Sequence, residues 1–172
     1  MIRAADRSDA PALREIYNQG IAERQATFET REREVAEVAA WFDDDEPLVV
    51  VDVADDGTVR GFARLTAASD RCVYRGVGDH AIYVHRDARG TGVGRRLLDA
   101  LCAEAERRGF YKVSSRVFAC NAASRALHRA AGFREVGVQE RHGRLDGVWH
   151  DVVLVERLLG EAAAEKAGRE AA

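Results

Sequence analysis

Cysteine is scarce in this 172-residue chain, and what there is lies scattered. Cys72, Cys102 and Cys120 show no metal-ligand spacing, and an odd, dispersed set does not frame a disulfide scaffold. They read as free thiols of a reducing compartment, so a cytoplasmic location is expected. No apolar run approaches the length that spans a bilayer, so no membrane partner is expected. A secretory leader is not expected either, because the first residues already include Arg3 and Asp6. An excess of one charge is missing too: 26 Lys+Arg stand against 29 Asp+Glu, a net charge of −3. That balance gives no support to nucleic-acid binding through bulk charge. Internal repeats and an interdomain linker are also absent. With 47% apolar and 32% charged residues, the chain reads as one ordinary soluble domain over residues 1–160, followed by a flexible tail over 161–172.

What is present is concentrated in residues 89–98, Arg-Gly-Thr-Gly-Val-Gly-Arg-Arg-Leu-Leu. They follow an alternating, strand-like run, Asp79 to His85, and open a helix-like run, Val93 to Gly109. Strand, glycine-rich turn and helix in that order make an anion site, because turn N–H groups and the helix N-terminus converge on one spot. Arg89, Arg95 and Arg96 add formal charge, and the arrangement suits a pyrophosphate. A Walker A loop requires Lys-Ser or Lys-Thr after its last glycine, where Arg95-Arg96 stands. The dinucleotide fingerprint requires Gly-x-Gly-x-x-Gly, whereas Gly90, Gly92 and Gly94 are spaced by two. The bland alternative is a turn that merely joins strand to helix.

Along the chain, Met1 to Ala5 reads as a strand. Ser8 or Asp9 is placed to cap a helix with Pro11 in its first turn and Leu13, Ile16, Tyr17 and Ile21 on one face. Thr30 is expected to cap a second helix with the stripe Val35, Val38, Ala39 and Phe42, ended by Asp43-Asp44-Asp45-Glu46 near Pro47. Leu48 to Ala54 and Thr58 to Ala67 read as a hairpin across Asp55-Asp56-Gly57. In the helix after the glycine turn, Val93, Leu97, Leu98, Leu101 and Ala105 form the inward stripe. Lys112 to Phe118 alternates as a strand, Asn121 is placed to cap a helix over Ala122 to Ala131, and Gly132 ends it. Phe133 to Arg141 and Val148 to Arg157 flank a turn at Leu145-Asp146-Gly147. The tail from Gly160 has little to pack and is expected to fray. The fold class is α+β.

Arg89-x-x-Gly92-x-Gly94 matches the coenzyme A loop of the GNAT N-acetyltransferases, and the segment Asn121-x-x-Ser124-x-x-Leu127-His128-x-x-x-Gly132-Phe133 fits the same superfamily. Within it the chain resembles phosphinothricin acetyltransferases and the related arsinothricin N-acetyltransferases. That resemblance rests on Ala26-Thr27-Phe28-Glu29-Thr30, Arg71-x-x-Tyr74, Asp79-His80-Ala81-Ile82-Tyr83-Val84 and Gly147-Val148-Trp149-His150-Asp151-Val152. It implies a mixed, mostly antiparallel, splayed sheet of about seven strands flanked by about four helices. It also implies acetyl-CoA as co-substrate, its pantetheine arm lying between diverging fourth and fifth strands. The backbone of Ile82, Tyr83 and Val84 would then contact the arm and the acetyl carbonyl. Arg89, Gly90, Thr91, Gly92, Val93, Gly94 and Arg95 would hold the pyrophosphate, with Asn121 and Ser124 near the pantetheine amides. The alternative for Asn121 is a plain helix cap, and the two roles are compatible.

Acetyl transfer needs a neutral amine, a stabilised carbonyl oxygen and a protonated leaving thiolate. Asp79 stands where the family places a glutamate proposed as base; it is one methylene shorter, and its ordinary pKa of about 3.9 makes it a weak base unless burial raises it. By the same resemblance His128 stands where many of these enzymes carry a tyrosine general acid, to relay a proton or hydrogen-bond the sulfur, and a backbone N–H near Val84 is the expected oxyanion donor. His80, His85, His142 and His150 lack metal-like spacing and read as surface or interface residues, with His150 nearest the active site. No metal is expected, and no cysteine is set as a nucleophile. Arg71, Tyr74 and Arg75 suit a small amino acid with a second anionic group, and Phe28 is placed to wall the pocket. The expected acceptor is therefore a glutamate-like antimetabolite: phosphinothricin, arsinothricin or methionine sulfoximine. The alternatives are a protein N-terminus or polyamine as acceptor, or a non-catalytic acetyl-CoA sensor. A homodimer is expected through the C-terminal hairpin with Trp149.

Overall fold

The computed structural model describes residues 1–43 and 48–170, with side chains through residue 166. The backbone is a seven-stranded sheet ordered β1-β2-β3-β4-β5-β7-β6. Its strands are β1 (Ile2–Ala4), β2 (Leu48–Val53), β3 (Val59–Ala67), β4 (Val77–Val84), β5 (Lys112–Phe118), β6 (Arg134–Leu145) and β7 (Val148–Leu158). Its helices are α1 (Ala10–Ala22), α2 (Val35–Ala39), α3 (Val93–Arg107), α4 (Ala122–Ala130) and α5 (Gly160–Glu170). Every neighbouring pair of strands is antiparallel except β4 and β5, which are parallel. A parallel pair needs a crossover, and α3 supplies it.

The sheet is covered on both faces, which is why β2 reads as a nearly continuous apolar run. On one face, Leu97, Leu98, Leu101 and Ala105 of α3 pack on Val50, Ala63, Val113 and Val155. On the other, Leu13 and Ile16 of α1 and Val38 of α2 pack on Val49, Val51 and Phe62. The stripe expected on α3 is buried throughout. A smaller cluster joins Phe118, Leu145 and Val152, with Phe28 against them.

The start of the second helix departs from expectation because a contact distant in sequence overrides the local signal. Thr30 caps nothing: α2 begins at Val35, with Glu34 at its N-cap and Glu37 closing the capping box. Residues 29–33 are held out of a helix by two long-range bonds from Asn18 and a local ion pair. Asn18 Oδ1 accepts from the Arg33 amide at 2.8 Å, Asn18 Nδ2 donates to the Arg33 carbonyl, and Glu29 pairs with the Arg33 guanidinium. The acidic run expected to end this helix lies, beyond Asp43, outside the described residues. The tail, expected to fray, forms α5 from strong helix formers, entered from the buried Leu159.

The feature that creates a site is the short seam between β4 and β5. They pair only at Val77↔Lys112, Gly78↔Val113 and Asp79↔Ser114. β4 continues to Val84 and β5 to Phe118, so the two strands diverge from that fork. Serine side chains extend the seam slightly: Ser114 Oγ donates to the Gly78 carbonyl and Ser115 Oγ to the His80 carbonyl at 2.8 Å.

Candidate active site

The glycine turn sits between β4 and α3 for two different physical reasons. Gly90 and Gly92 have φ of 75° and 81°, in the left-handed region, and Gly92 is the N-cap of α3. Gly94 is needed for close approach: a Cβ there would lie 2.9 Å from Leu127 Cδ2 on α4. Thr91 Oγ donates to the Ala88 carbonyl at 2.6 Å, tightening the turn. The Val93 side chain belongs to the core, which leaves its backbone N–H as the group it can present.

The arginines of this turn are all engaged. Arg89 reaches the Val84 carbonyl at 3.2 Å and Glu23 at 2.9 Å. Arg95 pairs with Asp99 and donates to the Ala130 carbonyl, so it runs along α3 towards α4. Arg96 donates to Asp52 at 2.9 Å and to the Thr91 carbonyl at 3.2 Å. Asp52 is fully buried and also accepts from Arg60 Nε at 2.7 Å. One buried carboxylate thus fixes two guanidiniums beside the turn, and both hold its pKa down. Asp52 is the polar exception in the apolar run of β2.

At the fork, strand alternation decides which backbone groups face the gap. The His85 amide donates to the Arg60 carbonyl of β3, so Tyr83 and Ala81, two and four residues back, also turn their N–H and C=O to β3. Ile82 and Val84 turn theirs to the β5 side. Tyr83 therefore departs from the expected trio: its backbone faces β3, and its ring packs on Tyr17 at 4.6 Å and on Phe62 at 5.5 Å. Burial drives the Tyr83 phenol well above the usual tyrosine range.

Asp79 stands at the last paired position. Its Oδ1 lies 3.5 Å from Ser114 Oγ and its Oδ2 3.8 Å from Arg116 Nη1. Burial raises its pKa above the ordinary carboxylate value, while Arg116 and Ser114 pull the other way. Arg116 is a residue that sequence reading missed. Its signal was period two on β5, which places Ser114, Arg116 and Phe118 on one face. On that face Phe28 meets Phe118 at 4.6 Å between ring centroids, and His150 stacks on Phe118 at 5.2 Å. Phe28 also seats over Gly143, where a Cβ would come within 2.7 Å of its ring.

Asn121 works in two directions. Its Oδ1 accepts from the Ser124 amide at 3.0 Å, capping α4, and its Nδ2 donates to the Gln25 carbonyl at 3.0 Å. That second bond ties α4 to the segment carrying Phe28. Arg71, Tyr74 and Arg75 lie exposed on the β3–β4 connection; Arg71 stacks over the Tyr74 ring and Arg75 donates to the Cys72 carbonyl.

His128 is buried on α4, and the partner it meets was unexpected. His80, read from sequence as a surface residue, is 4% exposed and places its Nε2 3.0 Å from His128 Nε2. The alternation that puts Asp79 on one face puts His80 on the other, against α4 and Phe133. His80 Nδ1 lies 2.9 Å from the Ser114 carbonyl, and His128 Nδ1 lies 2.7 Å from the Ser124 carbonyl. Burial, with His128 alongside, pushes the His80 pKa down to about 3. Burial lowers that of His128 as well.

Among the described residues no group of three or more His, Cys, Asp or Glu side chains is placed to hold a metal ion, and no helix is long and apolar enough to cross a membrane. Cys102 is buried, with its thiol pushed up to about 11, while Cys72 and Cys120 are exposed and free.

Comparison with known proteins agrees with this geometry. The model of the acetyltransferase (GNAT) family matches residues 12–133. An L-methionine sulfoximine/L-methionine sulfone acetyltransferase of Salmonella typhimurium is 31% identical, over 96% of this chain and 98% of that protein. A phosphinothricin N-acetyltransferase of Alcaligenes faecalis is 33% identical, over 92% of this chain and 82% of that protein. The crystal structure of a GNAT superfamily phosphinothricin acetyltransferase from Sinorhizobium meliloti, in complex with AcCoA, superposes with a TM-score of 0.89 at 32% identity, covering 95% of this chain and 90% of that one. A glycine turn at the head of α3, a sheet forked beside a half-buried carboxylate and these likenesses converge: the chain is an acetyltransferase of the GNAT family.

Proposed function

We propose that the protein transfers the acetyl group of acetyl-CoA to the α-amine of a small glutamate-like amino acid, of the phosphinothricin, arsinothricin or methionine sulfoximine type. The observation that carries this reading is the fork itself: Asp79, its pKa raised by burial, stands where the β4–β5 ladder ends. The gap beyond it suits an extended arm, because Ile82 and Val84 offer strand-like hydrogen bonds to an added chain. The pyrophosphate is received at the turn from Arg89 through Gly94, with Arg95 turning towards it from Asp99 and Asn121 and Ser124 flanking the arm.

The amine attacks the thioester carbonyl directly, and no acyl-enzyme is involved. Asp79, through water where its shorter side chain falls short, removes the proton that leaves a neutral amine. The Val84 N–H is aimed at the side where negative charge develops on the carbonyl oxygen. Arg116, beside Asp79, pairs with the amino acid's carboxylate. Arg71, Tyr74 and Arg75 receive the second anionic group, and Phe28 walls the pocket. Acetylation removes the ammonium by which such mimics engage their target, so the activity confers resistance on the host cell. The protein works in the cytoplasm as a homodimer.

The test is free-thiol release from acetyl-CoA by the purified protein with phosphinothricin, arsinothricin, methionine sulfoximine, glutamate, spermidine and a short peptide. Saturable turnover with the first three but not with glutamate is the expected result. Turnover confined to spermidine or peptide would move the acceptor to a polyamine or a protein N-terminus. Binding of acetyl-CoA without turnover of any amine would turn the reading towards a sensor.

A further inference from the structure

The two buried imidazoles have three polar contacts and, when both are neutral, two protons to fill them. His80 Nδ1 faces the Ser114 carbonyl at 2.9 Å, which demands an N–H. His128 Nδ1 faces the Ser124 carbonyl at 2.7 Å, which demands another. The third contact is Nε2 to Nε2 at 3.0 Å, and it becomes a hydrogen bond only with a further proton between the rings. We propose that His80 and His128 form a one-proton site, and that His80 is the positioning residue through which His128 delivers a proton to the leaving thiolate by way of Ser124.

Ser124 Oγ lies 3.4 Å from His128 Nδ1, in the half-exposed first turn of α4. It is the route out of the pair, since both His128 nitrogens are engaged. As the bond from the acetyl carbon to sulfur breaks, sulfur keeps the electron pair. Ser124 Oγ–H gives its proton to sulfur, and His128 Nδ1–H replaces it. The proton between the rings then belongs to His128 Nε2 and is held by the His80 Nε2 lone pair. The charged pair and the thiolate become a neutral pair and a thiol. Burial leaves the pair neutral at rest, and in each turnover it is charged by a proton from solvent before the bond to sulfur breaks, matching the one that Asp79 releases from the amine.

A second proton is excluded, because two positive charges would stand 3.0 Å apart in an apolar setting. The groups facing the pair leave its charge balance to the rings themselves. From β4, Asp79 lies on the opposite face, with Arg116 of β5. From α4, Arg125 is paired with Glu135 of β6, and Arg129 is exposed. Ser114, Ser115, Ser124 and Phe133 complete the surroundings.

This inference rests on the site proposed above, so its test has one arm that needs no acceptor. In imidazole-¹⁵N spectra of the full-length protein, the expected result is one N–H signal coupled to the Nε2 of both rings, appearing as the pH falls in a single protonation step shared by the two. His80→Gln keeps a hydrogen bond to His128 but no titrating nitrogen, and His80→Phe removes both. Both variants are expected to lower kcat about tenfold or more with the KM for acetyl-CoA little changed, and His80→Gln loses the limb of the kcat–pH profile that belongs to the pair. Independent titration of the two rings overturns the proposal, as does a His80→Gln enzyme with wild-type kcat and pH profile. An acceptor panel without turnover would sink the acceptor reading instead, and the spectra would still decide the proton count.

Discussion

Asp79 and Arg116 illustrate how one residue sets the working range of another. Burial lifts the Asp79 pKa and the Arg116 guanidinium draws it back. Arg116→Gln is therefore expected to shift the acid limb of the kcat–pH profile to higher pH, because the base loses the cation that favours its charged form. The same change should raise the KM for the amino acid and leave that for acetyl-CoA unchanged. Asp79→Asn is expected to lower kcat by about 10²-fold or more, read by single-turnover thiol release. His80 sets a different pH dependence, this time of stability. The pair refuses a second proton, with the His80 pKa pushed down to about 3 by burial and by His128, whereas both imidazoles protonate freely in the unfolded chain, so unfolding takes up a proton between that value and the unfolded one. The contribution is present above about pH 6.5 and is lost as the pH falls, at about 1.4 kcal/mol per unit. Urea unfolding between about pH 6.5 and about pH 5, above most carboxylate titration, should show that slope in the wild type and a flatter one in His80→Phe.

The elements that sequence periodicity disclosed are those whose ends are fixed locally. α3 was legible because its stripe repeats at helical spacing and Gly92 marks its start. α4 was legible because Asn121 caps it. α2 was not, because Arg33, just before it, is held at both its amide and its carbonyl by Asn18 on α1, fifteen residues away. The turn's glycines separate in the same terms. Gly92→Ala would force a left-handed backbone on a Cβ and is expected to cost about 1–2 kcal/mol in urea denaturation. Gly94→Ala would instead press on Leu127, shifting α4 and raising the KM for acetyl-CoA. Leu101→Ala, fully buried in α3, is expected to cost about 2–5 kcal/mol with kinetics intact.

Across the whole molecule, the family, the turn and the succession of strands and helices along the chain were readable, because each is carried by contiguous runs of residues. The fork was implied only through the family resemblance, and the His80–His128 contact and the reach of Arg116 to Asp79 were not legible at all, since each joins segments that only folding brings together. Strand alternation would have placed His80 inward, yet it names no partner. Assembly is argued at this scale too. Val138, Val148 and Trp149 are exposed on the β6–β7 hairpin, and Arg144 stacks on the Trp149 ring. Sedimentation is expected to show a dimer, and Trp149→Glu to shift it towards monomer; a wild-type monomer would exclude that interface.

The seam of only three paired positions between β4 and β5 divides the sheet into a four-stranded and a three-stranded block. Apart from the short edge strand β1, the strands within each block pair over six or more positions, so the seam is the weakest junction between the blocks. An acetyl-CoA arm bonded across the gap would act as a removable rung. Amide exchange should then report two separable protection classes in the free protein, merging into one when the co-substrate bridges them.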